Sequence, residues 1–163
     1  MTVLAALAAS TTAVAGGSGR IISAHGVRVV VPAGWRQVHE SNPSSVTDPV
    51  TLLVVGTAGV RPRRSGCLLA GYHVPAGGAV VVIVGWKHLA LSGAARQRPG
   101  RWPLEKLVSV HRPSFECFAG RGAAADVVLR GRAFQINVLV GDGASRRRVA
   151  AALAVGRSFA LTR

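Results

Sequence analysis

The reading of the fold turns on Arg130-Gly-Arg-Ala-Phe-Gln-Ile-Asn-Val-Leu-Val140, then Gly141-Asp-Gly-Ala-Ser-Arg-Arg-Arg-Val149, then Ala150-Ala-Ala-Leu-Ala-Val-Gly-Arg-Ser-Phe-Ala-Leu-Thr162. Phe134, Ile136, Val138 and Val140 alternate with Ala133, Gln135, Asn137 and Leu139, the period of a strand with one face buried. Gly141-Asp-Gly143 breaks that strand. Val149, Ala152, Leu153 and Gly156 then recur at helical spacing, a narrow stripe of small apolar residues able to sit close on a sheet. Ser158 to Thr162 reads as a closing strand. The order is therefore strand, turn, helix over Ser145–Val155, strand.

Working outward, Ala125 to Leu129 pairs with Ala133 to Val140 as a hairpin through Arg130-Gly131. Ala79-Val-Val-Val-Ile-Val-Gly-Trp86 is a near-continuous run of β-favouring residues, which predicts a central strand covered on both faces. Val50 to Val55 is a further strand. Ile21 to Val31 is a strand or small hairpin ending at Pro32-Ala-Gly34, after which Trp35 closes one end of the core. Cys67 to Tyr72 and Phe115 to Phe118 read as short strands, and Leu104 to His111 leans the same way. Gly56 to Gly66 and Lys87 to Lys106 are turn-rich loops. The sum is one α+β domain over residues 21–163: an antiparallel sheet of about six or seven strands with the C-terminal helix packed on one face.

The chain has 163 residues, and its 49% hydrophobic content excludes a disordered protein. Charge is the outstanding property. Twenty Lys and Arg face six acids, for a net charge of +14, and apart from Lys87 and Lys106 all of those cations are Arg. A surface so depleted of carboxylates attracts nucleic acid, anionic lipid or an acidic cell-wall polymer. The candidate anion contacts are Arg61, Arg63 and Arg64, Arg98 and Arg101, and Arg146, Arg147 and Arg148. The last three occupy the first turn of the helix, where cations oppose the macrodipole, while Ser145 or Asp142 supplies the cap. Arginines beside free backbone N–H groups suit a phosphate or sulfate.

Residues 1–20 read as an export signal or an Ala-rich tail. Ala13-Val-Ala15 has the small-x-small form of a signal-peptidase site, although no cation precedes Arg20. The apolar segment is shorter than the roughly 20 residues a spanning helix needs. In an exported chain, Cys67 and Cys117 would form one disulfide, closing a loop of about fifty residues for roughly 4 kcal/mol. The expected location is secreted or envelope-associated, with the cytoplasm as the alternative.

Catalytic signatures are weak. Gly141-Asp-Gly143-Ala-Ser-Arg146 imitates the opening of a dinucleotide fingerprint, but its third position is Arg and no room remains for a second strand and distal acid. The five histidines, His25, His39, His73, His88 and His111, have no metal-ligand spacing. Glu40, Asp48, Glu105, Glu116, Asp126 and Asp142 are isolated from one another. Cys117 with a histidine and Asn137 makes a conceivable thiol triad, against which a cysteine between Phe115 and Phe118 is more often buried or bonded. Trp86, Lys87, His88, Arg96, Arg98, Arg101 and Trp102 mix aromatics with cations in the manner of single-strand binders, yet fit an ordinary loop equally well. The expectation is a non-catalytic exported or envelope-associated domain without metal or cofactor. Its alternative is a basic module that binds an anionic polymer or a membrane surface.

Val31-Pro-Ala-Gly-Trp35, Tyr72-x-x-Pro75-x-Gly77-Gly-Ala79, Phe115-Glu-Cys-Phe118 and Gly131-Arg-Ala-Phe-Gln135 together are similar to a loose set of uncharacterised actinobacterial exported or membrane-anchored proteins. A strand ending in Pro-x-Gly-Trp, with a final helix on an antiparallel sheet, also resembles the Mog1/PsbP-like α/β sandwich. The resemblance implies that fold and an extracytoplasmic location. It brings no active site.

Overall fold

The computed structural model describes residues 19–40, 47–63, 71–87, 107–115 and 118–163. Among them the backbone runs β1 (Arg20–Ala24), β2 (Val27–Val31), β3 (Trp35–Gln37), β4 (Val50–Thr57), β5 (Arg61–Arg63), β6 (Gly71–His73), β7 (Ala79–Trp86), β8 (Arg112–Phe115), β9 (Phe118–Leu129), β10 (Arg132–Val140), α1 (Arg146–Arg157) and β11 (Ala160–Leu161). The class is α+β, antiparallel throughout, with a C-terminal helix. The strands are more numerous than expected and form three sheets instead of one: β3-β4-β7-β10-β9-β8, β1-β2-β11 and β5-β6. Short strands within segments read as loops account for much of the difference. Arg61–Arg63 pairs with Gly71–His73 across a turn-rich stretch whose Pro and Gly content hid it.

The expected β9–β10 hairpin forms, and its register sets Arg132 opposite Leu129 and Gln135 opposite Asp126. Its two-residue turn places Arg130 at φ 48° and Gly131 at φ 73°, the left-handed pair that matches the twist of the flanking strands. β7 lies between β4 and β10, and Ala79 to Gly85 are all buried. Alternate residues serve two cores. Ala79, Val81 and Ile83 face the main core, whereas Val80, Val82 and Val84 face a second cluster with Val54, Leu139 and Tyr72.

α1 closes the main core. Ala152, Leu153, Val155 and Gly156 are buried, and Phe134 meets Phe159 with ring centroids 5.4 Å apart. Gly156 lets the helix sit close, since a Cβ there would stand 2.8 Å from Val138 Cγ2 and 3.3 Å from Leu107 Cδ1. The small sheet covers the rest of that face through Ile22, Val27, Val29 and Val31, and Trp35 joins the same cluster. The closing strand pairs with β2, not with the large sheet.

Two hydroxyls carry ladders past their last backbone pair. Ser158 Oγ accepts from Val30 N–H at 2.8 Å, just before β11 begins and beyond the Ala160–Arg28 pair. Buried Thr57 Oγ1 accepts from Ala79 N–H at 3.0 Å, beyond the Gly56–Val80 pair. Two local expectations are corrected. Residues 107–111 are turn and irregular chain, not strand. Phe115 stands opposite Phe118 across the β8–β9 pair, so the two lie on neighbouring strands.

Candidate anion-binding surface

Gly141 leaves β10 and is held by hydrogen bonds to the 75–78 turn: its N–H reaches Gly78 O at 3.0 Å, and Gly77 N–H reaches Asp142 O at 2.7 Å. A side chain at position 141 would run into the Pro75 carbonyl, so the turn docks only on glycine. This contact fixes where the helix starts. Ser145, at φ −63° and ψ 156°, is the cap, its Oγ accepting from Arg148 N–H at 3.2 Å. Asp142, the other candidate, serves through its backbone instead.

Arg146, Arg147 and Arg148 follow in a first turn that contains no acid. They divide between the flanks of the helix. Arg147 and Arg148, with Ser145, wall a cavity of about 340 Å³ closed on its far side by Pro32, Ala33 and Trp35. The Trp35 carbonyl accepts from the Arg20 guanidinium at 3.0 Å. Arg146 lies on the opposite flank, where Arg121 and Arg157 join it around a second groove. Ala150 and Ala154 are exposed on α1, Ala150 within the lining of the second groove.

Arg146, Arg147 and Arg148 make no ion pair with a described carboxylate. Glu40 is engaged by His25, whose Nε2 stands 2.9 Å from Glu40 Oε2. Asp126 accepts from Gln135 Nε2 at 2.8 Å, and Asp48 accepts from the Lys87 backbone N–H at 2.9 Å. Arg132 is spent on an aromatic face, 5.3 Å from the Phe134 ring centroid. At the start of α1 positive charge is thus carried by arginines without a neutralising carboxylate among the described residues.

The fold does not bring the sequence-picked arginines into one patch. Arg61 and Arg63 are exposed on β5, whose partner strand sends Tyr72 into the second cluster, on the face of the large sheet away from α1. Arg64, Arg98 and Arg101 lie outside the described residues, as do Cys67, Cys117 and residues 1–18. Most of the Trp86–Trp102 aromatic and cationic segment lies outside them too, and the Cys117 triad therefore has no described nucleophile. Asn137 is on β10, facing away from the helix side.

Two members of the surface were not singled out from sequence, Arg121 and Arg157; Trp35, expected at one end of the core, is buried there and also backs the cavity. Arg157 closes the same helix and was legible as a cation at a C-terminus, where it complements the dipole. Arg121 arrives from β9 by pairing alone. The His25–Glu40 contact likewise had no sequence signal, because fourteen intervening residues fold back to make it. Among the described residues, no three His, Cys, Asp or Glu side chains gather to hold a metal ion. No helix among them is long and apolar enough to cross a membrane.

Fold and surface together define a small α+β domain with a basic C-terminal helix. Compared with known protein families, with curated proteins and with solved structures, the chain matches none.

Proposed function

We propose that this is a non-catalytic binding domain for an anionic polymer, working outside the cytoplasm or at the cell envelope. The observation that carries the reading is that Arg146, Arg147 and Arg148 occupy a first turn without an acid and make no ion pair with a described carboxylate. Guanidinium groups that are already solvated and unpaired can take phosphate or sulfate without breaking an internal ion pair. Ser145 has already satisfied one helix N–H, so the contacts expected are charge contacts from side chains. Such binding is tolerant of sequence and steep in salt.

The test is a salt titration of affinity for a short DNA duplex and for heparin. With wild-type protein, log Kobs should fall linearly with log salt. The Arg147→Gln/Arg148→Gln double variant should lose about 2 from the magnitude of that slope, roughly one per lost phosphate contact. An unchanged slope in the variant, or no binding at low salt, would sink the proposal.

The extracytoplasmic part of the reading is supported by the apolar segment ending at Ala13-Val-Ala15 and by the paired count of cysteines. Intact mass from the native host, with and without reduction, separates the outcomes. Cleavage after Ala15 with no thiol alkylated before reduction fits export and a Cys67–Cys117 bond. Full-length protein with two reactive thiols places the polymer in the cytoplasm, where nucleic acid becomes the partner.

A further inference from the structure

The groove on the Arg146 flank of α1 differs chemically from the cavity beside Arg147 and Arg148. Its volume is about 380 Å³, at the small end of the range for ligand pockets. Its floor is apolar, built from Val149 and Leu153 on the helix and from Val108 on the preceding chain. Val108 is 66% exposed, the most exposed large apolar side chain among the described residues. The rim carries Arg146 and Arg157, the first and last residues of α1, together with Arg121 from β9. Among the described residues no acid lines the groove.

We propose that this groove binds a single-chain anionic amphiphile, taken up as a monomer, with its apolar chain along Val108, Val149 and Leu153 and its head group on the arginine rim. A bare polyanion would leave the apolar floor in water, and a neutral chain would leave the rim unused. Only a ligand that is apolar and anionic at once satisfies both. A peptide fits less well, because the backbone of α1 bonds internally and offers that wall no partners for peptide N–H and C=O groups. The concave shape favours a chain entering the protein over Val108 entering a lipid leaflet.

Arg146 belongs to both readings, but the polymer test is made on Arg147 and Arg148, which do not line this groove, so the two fail separately. The full chain is titrated calorimetrically with dodecyl phosphate below its micelle concentration, alongside dodecyl maltoside, inorganic phosphate and anionic phospholipid vesicles. Dodecyl phosphate should bind saturably, and each of the other three should bind at least about tenfold more weakly, since each lacks one half of the recognition or the monomeric form. Val108→Asp should abolish binding while leaving the circular dichroism spectrum unchanged, because the position is exposed. Arg146→Gln and Arg157→Gln should each weaken it roughly three- to fivefold, the scale of an exposed charge contact. The Arg147→Gln/Arg148→Gln variant should keep amphiphile affinity while losing affinity for DNA. Equal binding of inorganic phosphate, binding to vesicles only, or an unaffected Val108→Asp variant would each overturn the proposal. So would saturation by an acidic, leucine-rich peptide without saturation by dodecyl phosphate.

Discussion

Gly156 offers a test in which helix propensity and tertiary packing predict opposite signs. Replacing Gly156, the last residue but one of α1, by alanine removes backbone freedom from the unfolded chain and should stabilise by up to about 1 kcal/mol on propensity alone. The fold opposes this. The new Cβ would stand 2.8 Å from Val138 Cγ2, 3.3 Å from Leu107 Cδ1 and 3.4 Å from Ile136 Cγ2. All three neighbours are fully buried and cannot swing into solvent. Overpacking of this kind costs about 1–3 kcal/mol, so the net expectation for Gly156→Ala is a loss of about 1 kcal/mol. In a domain of this size that lowers Tm by roughly 3 °C. Gly156→Val adds two further methyl groups at the same contact and should cost about 3 kcal/mol or more. Ala154→Gly, on the exposed side of the same turn, is the control and should lose about 1 kcal/mol through propensity alone. Urea denaturation of the four proteins, at constant m-value, measures these differences. A gain of about 1 kcal/mol for Gly156→Ala would refute the close seating of the helix on β10.

Three other perturbations address the joints of the fold. Thr57→Val keeps shape but leaves the buried Ala79 N–H without its acceptor, and should cost about 1–3 kcal/mol by urea denaturation. Ser158→Ala removes the acceptor of Val30 N–H and should cost about 1 kcal/mol, with faster amide exchange at Val30 as the local readout. Ser145→Ala uncaps α1 and should lose about 1 kcal/mol, whereas Ser145→Asp should retain the cap and restore stability.

The parts of the fold legible in sequence are those whose pattern is local. Phe134, Ile136 and Val138 alternate because one sheet face is buried, and Ala152, Leu153 and Gly156 recur at helical spacing because one helix face is buried. Arg130-Gly131 marks a two-residue hairpin turn because few residues tolerate positive φ in sequence. None of this fixes which strands become neighbours across long loops. Strand division was missed for the same reason: β5 lies within Gly56 to Gly66, whose composition reads as loop, and only its pairing with β6 makes it a strand. Residues 107–111 carry apolar residues without being a strand, because Leu107 fills the space above Gly156 from an irregular chain.

Charge shows the same division. Sequence alone determined that the protein is basic, that α1 begins with three arginines, and that its buried stripe is made of small residues, since each is a matter of composition or of spacing within one element. Only the tertiary structure decided that those three arginines part to opposite flanks, that Arg121 and Arg157 join one of them over an apolar floor, and that Arg61 and Arg63 stand on another face. The reason is physical. Helical periodicity turns successive side chains about 100° apart, and the sheet beneath determines which of those directions meets another element and which meets water.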